Sequence, residues 1–264
     1  MLQPSITTMN MEINTDSIKM SLNTILPFST NINFSYNGIV IGYNIKNKDN
    51  KAEKNFVLSF YGRTIGTEIS LSSSENFNGK ITFADSTSIN IDKKFLKFQT
   101  FQISTYYVFN NNKFSYPAAF TKNYIQKKNS GSWIISSNYA TSNTKTKQNL
   151  FKINTISASL GIGYGYNWVI KSKNLIHISA LPTFNIFEKN NINTYNLKQW
   201  EIKGTQDVII IGRMTTIFNF KIFFTGIDAF GNFTIIGDDK TGNKINFTHT
   251  KITERLFFGI RFKN

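Results

Sequence analysis

Within Thr155–Ile170, the run from Thr155 to Trp168 alternates between two chemistries without a break. Ile156, Ala158, Leu160, Ile162, Tyr164, Tyr166 and Trp168 are apolar or aromatic, while Thr155, Ser157, Ser159, Gly161, Gly163, Gly165 and Asn167 are small or polar. Successive side chains of a strand point to opposite faces, so one face is greasy and the other is not. Such a stretch, at roughly 3.3 Å per residue and a tilt near 45°, rises about 30 Å, enough to cross the apolar layer of a bilayer. Tyr164, Tyr166 and Trp168 crowd one end, where amphipathic rings favour the membrane–water boundary. The segment reads as one stave of a membrane β-barrel.

Composition supports strands over helices. The 264 residues include 25 Phe and 11 Tyr but only 4 Pro, and aromatic residues favour pleated, half-buried backbone. Mean hydropathy is −0.23, and no run of about 18 apolar residues offers a spanning helix. No linker-like break divides the chain, which predicts one barrel domain over residues 1–264. The absence of cysteine excludes disulfides, zinc–thiolate sites and thiol catalysis. The net charge of +15 is spread through Lys- and Asn-rich runs such as Asn44–Lys54 and Lys122–Asn129. Scattered loop charge suits a phosphate-rich lipopolysaccharide surface better than nucleic acid, which is not an expected partner.

The alternation recurs along the chain. Ile32, Phe34 and Tyr36 precede Asn37-Gly38, the dipeptide of a two-residue type I′ turn, and Ile39, Ile41, Tyr43 and Ile45 follow it. Further staves carry Phe56, Leu58 and Phe60; Ile65, Ile69 and Leu71; Phe101, Ile103, Tyr107 and Phe109; and Trp133, Ile135 and Tyr139. The last ones run over Leu175–Glu188, Thr205–Phe220, Phe223–Ile235 and Lys251–Phe262. That gives about eleven strands, and an even count needs a twelfth, expected around Met9–Ser17 as a truncated first strand. Short turns at Asn37-Gly38, Arg63-Thr64 and Asn219–Lys221 contrast with longer polar loops at Asn47–Lys54, Ser73–Lys94, Thr141–Gln148, Asn190–Gly204 and Gly237–His249. This asymmetry is expected of an outer-membrane barrel. A water-soluble barrel would alternate too, but with shorter strands and a more charged outer face.

The expectation is therefore an all-β, antiparallel, up-and-down transmembrane β-barrel of about 12 strands in the outer membrane of a Gram-negative bacterium. Met1–Thr8 has neither a basic start nor an apolar core, so an exported chain of this kind is expected to have lost its signal peptide. Membrane lipid and lipopolysaccharide are the expected surroundings. The terminal run Leu256, Phe258, Ile260 and Phe262 resembles the signal that outer-membrane insertion machinery reads in its clients.

One segment neither alternates nor is low in complexity: Phe114-Ser115-Tyr116-Pro117-Ala118-Ala119-Phe120, continuing through Gln126 to Ser130-Gly131-Ser132. It resembles the signature of an uncharacterised family of outer-membrane barrels catalogued as domain of unknown function 4421. The likeness extends to Phe109-Asn110, to Phe34-Ser-Tyr-Asn-Gly38, to Phe60-Tyr-Gly-Arg63 and to Phe257–Phe262. The resemblance implies location and fold and carries no activity with it. Pro117 removes a ladder donor and restricts Tyr116, so the chain must leave the sheet there. The segment then either folds inward to constrict the lumen or covers a rim.

Candidate chemistry is sparse. His177 and Ser179 share a lumenal face, but residues two apart on a strand are about 6.5–7 Å apart at Cα, which argues against a His–Ser hydrogen bond. The chain is accordingly expected not to be an enzyme. His249, Asp238 and Asp239 lack the spacing of a metal site, and the glycines of Gly161–Gly165 open no helix and so do not form a dinucleotide loop. No cofactor or metal is expected. Asp207, Arg213, Asp228, Arg255 and Arg261 lie on the polar face of the last strands, where they should pair or line water. Two functions remain open: a small channel or transport barrel for polar solutes, or a non-conducting structural, adhesive or partner-binding barrel.

Overall fold

The computed structural model describes residues 1–14, 18–24, 28–45, 54–75, 77–83, 85–91, 96–121, 124–146, 151–194, 197–203, 208–238 and 245–262. They form strands β1 (Leu2–Asn14), β2 (Ile18–Thr24), β3 (Phe28–Tyr36), β4 (Ile39–Ile45), β5 (Lys54–Tyr61), β6 (Ile65–Ser74), β7 (Phe77–Phe83), β8 (Ser88–Ile91) and β9 (Leu96–Val108). A short helix α1 (Tyr116–Phe120) follows, then β10 (Ser130–Thr146), β11 (Phe151–Ile170), β12 (Asn174–Thr194), β13 (Leu197–Lys203), β14 (Val208–Asn219), β15 (Phe223–Asp238) and β16 (Ile245–Ile260).

Twelve of these strands close on themselves, in the order β16-β15-β14-β12-β11-β10-β9-β6-β5-β4-β3-β1, with β1 pairing back onto β16 from Leu2↔Phe258 to Asn14↔Asn246. Every described pairing is antiparallel, and closure leaves the barrel wall without an open edge. The first strand starts well before the Met9–Ser17 stretch that alternation suggested. Its opening residues, with Gln3 and Ser5 inward and Leu2 and Ile6 outward, are interrupted by Pro4, which hides the period in the sequence.

The remaining strands lengthen the wall at one end. β2 pairs the far half of β1, β7 pairs β2, and β8 pairs β7, while β13 pairs the far end of β12. Three of the expected long loops, Ser73–Lys94, Thr141–Gln148 and Asn190–Gly204, are largely strand, and the expected loop Gly237–His249 is entered by β15 as far as Asp238 and by β16 from Ile245. β12, with 21 residues, is about 70 Å long at roughly 3.3 Å each. It outruns the membrane, and its far part carries Glu188, Lys189, Asn190 and Asn191. The extension has its own small core of Met9, Met11, Met20, Leu22, Phe77, Ile91 and Leu96.

Turns at the opposite end are tight. Asn37 (φ 46°) and Gly38 (φ 84°) both lie in the left-handed region, as a type I′ turn requires. Lys171 and Ser172 turn β11 into β12 the same way, at φ 50° and 57°. The start of β1 and the end of β16, Leu2 and Ile260, meet at this short-turn end.

Burial is inside out. Leu160, Ile162, Phe184, Ile227 and Leu256 are all about half exposed, whereas Ser159, Asn167, His177, Ser179, Thr183 and Thr215 are buried. A water-soluble barrel would show the reverse, so the burial pattern decides for a wall facing lipid. Rings gather on the outside near the short turns, with Trp133–Tyr164 centroids 5.6 Å apart and Phe223–Phe258 5.8 Å apart. The fold is that of an outer-membrane β-barrel.

Candidate functional site

The segment between β9 and β10 enters the barrel at the short-turn end. Ser115 caps α1, its Oγ accepting from the Ala118 N–H at 3.3 Å, and Pro117 occupies the first turn where no donor is needed. Thr121 closes the helix, its N–H donating to the Pro117 carbonyl at 2.9 Å. Phe114, Tyr116, Ala118 and Ala119 are buried. Of the two courses open to the segment, the structure takes the inward one.

The socket for this plug is built from residues that alternation assigns to the polar face. Ala118 and Ala119 pack with Leu175, Ile217, Phe224 and Phe257. Phe114 and Tyr116 pack with Val108, Ile134 and Leu181. Near the short turns the inward face is thus apolar, so both faces of the strands are apolar there. The sequence signal is doublets such as Ile134-Ile135, Leu175-Ile176, Ile217-Phe218, Phe223-Phe224 and Phe257-Phe258. Sequence reasoning that followed only the outward residue of each pair missed it. Gly165 makes room for the plug, since a Cβ there would lie 3.1 Å from Phe114 Cζ.

A polar network fixes the plug to the wall. The Ser115 N–H donates to Gln126 Oε1 at 2.8 Å, and Gln126 Nε2 donates to the Lys128 carbonyl at 2.7 Å. Asn167 Nδ2 donates to the Ser115 carbonyl at 3.1 Å and to Gln126 Oε1 at 2.7 Å. A carbonyl oxygen only accepts, so the orientation of the Asn167 amide is determined. Its Oδ1 therefore faces His177 Nδ1, 2.7 Å away, which must carry the imidazole proton. That leaves His177 Nε2 to accept from the Ser179 hydroxyl at 3.1 Å. Rings of Phe114, Tyr116 and Phe120 surround the imidazole, with centroids 6.2, 5.6 and 5.3 Å away.

Two sequence expectations are corrected here. His177 and Ser179 do meet, because their side chains lean along the strand toward one another and close the gap that the Cα spacing implies. The expectation that the chain is not an enzyme rested on that missing contact, and it falls with it. Asn167–His177–Ser179 has the connectivity of a nucleophile, its base and an orienting amide. The sequence could not assemble it, because Asn167 is ten residues away and joins only through the Asn167↔His177 register of β11 and β12.

Above the plug lies a cavity of about 120 Å³ lined by Ser59, Tyr61, Glu68, Phe120, Arg213, Thr215, Asp228 and Arg255, among others. Asp228 and Arg255 are directly opposite on β15 and β16, with Arg255 Nε 3.7 Å from Asp228 Oδ1. Arg213 lies against the plug, its guanidinium carbon 4.6 Å from the Phe120 ring centroid and 4.7 Å from that of Phe230. Arg261 sits apart at the short-turn end, over Phe224 at 4.5 Å and donating to Asn219 Oδ1 at 2.6 Å. Among the described residues, Arg213, Asp228, Arg255 and Arg261 are not gathered at one place, and Asp207 lies outside the described residues. Glu68, which accepts from Tyr61 Oη at 2.9 Å, joins the cavity from the far wall. No cluster of three or more His, Cys, Asp or Glu side chains that could hold a metal ion occurs among the described residues.

The family model described as Domain of unknown function (DUF4421) matches residues 2–262. The chain belongs to that family. No curated protein sequence matches it. Among solved structures, the DUF4421 barrel is similar to the beta domain of the Bordetella autotransporter BrkA, at 10% identity and a TM-score of 0.44, covering 96% of this chain and 98% of that one. It is also similar to OmpT of Vibrio cholerae, at 6% identity and TM-score 0.37, covering 98% and 97%. A third is the Pseudomonas putida toluene transporter TodX, at 7% identity and TM-score 0.33, covering 100% and 89%.

Proposed function

We propose that the DUF4421 barrel is a gated transport barrel for small polar solutes. The observation that carries this reading is a polar cavity lying directly on a helical plug that is seated in an apolar socket at the short-turn end. The plug fills the lumen beside the cavity at the short-turn end, and besides its apolar packing the joint between plug and wall consists of a few hydrogen bonds around Asn167 and Gln126. Movement of α1 would open the lumen without disturbing any strand pairing.

Planar-bilayer conductance tests the reading. The wild-type chain should show rare or small openings, and Asn167→Ala or Gln126→Ala should open more often. A refolded Gln126→Ala barrel that never conducts would favour the non-conducting alternative instead.

The geometry of Asn167, His177 and Ser179 favours a second reading, hydrolysis of an ester or amide by Ser179 once the plug is displaced. Attack by Ser179 Oγ on the carbonyl would pass the hydroxyl proton to His177 Nε2, which returns it to the leaving group; water then regenerates the serine. A fluorophosphonate probe can label Ser179 only where the plug leaves it reachable, so the plug-loosened Gln126→Ala barrel is the one to treat. Absence of label there removes this reading.

A further inference from the structure

We infer that Arg213 forms a binding site for a small oxyanion, a carboxylate or a phosphate, in the lumenal cavity. Its role in choosing solute rests on the transport reading, whereas the binding itself does not. Arg213 projects from β14 into the cavity, held by two rings, Phe120 from the plug and Phe230 from β15. Cation–π contacts of this kind fix the plane of a guanidinium without using any of its N–H donors.

Those donors have no acceptor among the described residues. Arg213 makes no hydrogen bond and no ion pair among the described residues, and its Nε is buried without a partner. Both carboxylates in the cavity are engaged elsewhere. Tyr61 Oη donates to Glu68 at 2.9 Å, with Ser59 Oγ at 3.5 Å, and Arg255 lies 3.7 Å from Asp228. A guanidinium that is desolvated and left without acceptors is costly, and an anion that presents two oxygens side by side, as a carboxylate or a phosphate does, supplies what it lacks in a single bidentate contact. The cavity, at about 120 Å³, has room for one such anion or a few waters. Because one of the two rings belongs to α1, an anion at Arg213 would sit against the gate itself.

Titration calorimetry on the refolded full chain in detergent, with inorganic phosphate in one arm and acetate in the other, tests the site. Saturable binding of at least one anion is expected, and the stronger arm identifies the head group. Arg213→Gln should weaken binding roughly tenfold or more, and Arg213→Lys should keep part of it, retaining charge without the fork. Glu68→Gln should tighten binding by removing a neighbouring negative charge, which provides a readout even where Arg213→Gln does not refold. No saturable binding of either anion, or equal binding by Arg213→Gln, overturns the inference. Binding in detergent requires no conduction. A barrel that binds but never conducts therefore removes the transport reading alone, and one that conducts without binding removes this site alone.

Discussion

Asn167 Oδ1 lies 2.7 Å from His177 Nδ1 across the β11–β12 ladder, and the other end of the same amide holds the plug at Ser115 and Gln126. One side chain therefore links the imidazole tautomer to the position of α1. Asn167→Ala removes the link, leaves His177 Nδ1 without a partner in a buried site, and leaves the Ser115 carbonyl only the Ala118 N–H at 3.3 Å. The expected loss is about 1–3 kcal/mol for each group left unsatisfied. It should appear as faster deuterium uptake over residues 114–121, with uptake in β11 and β12 little changed. Equal uptake in wild type and variant would show that the amide does not anchor the plug.

The facing of β11 makes a sharp pair of expectations. Leu160 is 48% exposed and Ser159 is 4% exposed, so one meets lipid and the other the lumen. Leu160→Arg should cost roughly 2–4 kcal/mol, as a charge near bilayer mid-depth does. Ser159→Arg should instead act through crowding inside the barrel. Urea titration of the refolded barrels in lipid vesicles separates the two, since only the first cost should fall when the bilayer is thinned.

Glycines differ in the same testable way. A Cβ on Gly163 would collide with the Ala180 carbonyl oxygen, a backbone atom that cannot swing aside, while Gly212 has nothing within 4 Å. Gly163→Ala should therefore lower the yield of the compact, heat-modifiable form on gels. Gly212→Ala should refold as the wild type does, or slightly better, because it reduces the freedom of the unfolded chain.

The lipid-facing half of this architecture was legible because period-two alternation acts on every stave independently: Leu160 and Ile162 against Ser159 and Gly161 need no knowledge of the rest of the chain. The inward half was not, because it depends on contacts between strands far apart in sequence. Leu175, Ile217, Phe224 and Phe257 look misplaced until α1 arrives to cover them. The Asn167–His177–Ser179 arrangement depends on register, and the Cα spacing that seemed to forbid it says nothing about where χ angles send the side chains. The strands β2, β7 and β8 escaped notice for a different reason. Their core is Met-rich and intermittent, as in Met20, Leu22 and Phe77, and leaves little period to read.

That extension should be separable from the barrel. Leu22 is fully buried among Met9, Met20 and Phe77, away from the plug and its socket. Leu22→Ala is expected to cost about 2–5 kcal/mol where it acts, by lost burial plus the cavity left behind. Limited proteolysis should then cut within residues 18–24 and 77–91 while the heat-modifiable gel shift persists. Loss of the gel shift as well would mean that the extension and the wall fold as one unit.

The seam supplies the last expectation. Residues 256–260 of β16 pair with 223–227 of β15 on one side, and Phe258 faces Leu2 of β1 on the other. Arg261 continues the ladder through its N–H to the Ile222 carbonyl at 2.7 Å, and Phe257 forms part of the plug's socket. Deleting Leu256–Asn264 therefore opens two ladders at the short-turn end and uncovers α1 at once. In lipid, unpaired strand edges cost several kcal/mol per lost hydrogen bond, so the shortened chain has no closed state to reach. It should fail to insert and should be recovered as aggregate or proteolysed fragments. Phe262→Ala is a milder test of the same end. Phe262 is 85% exposed, so its loss should slow insertion more than it weakens the finished barrel. Outer-membrane fractionation with a pulse of synthesis measures both, and normal insertion of the deletion variant would show that closure of this seam is not what assembly requires.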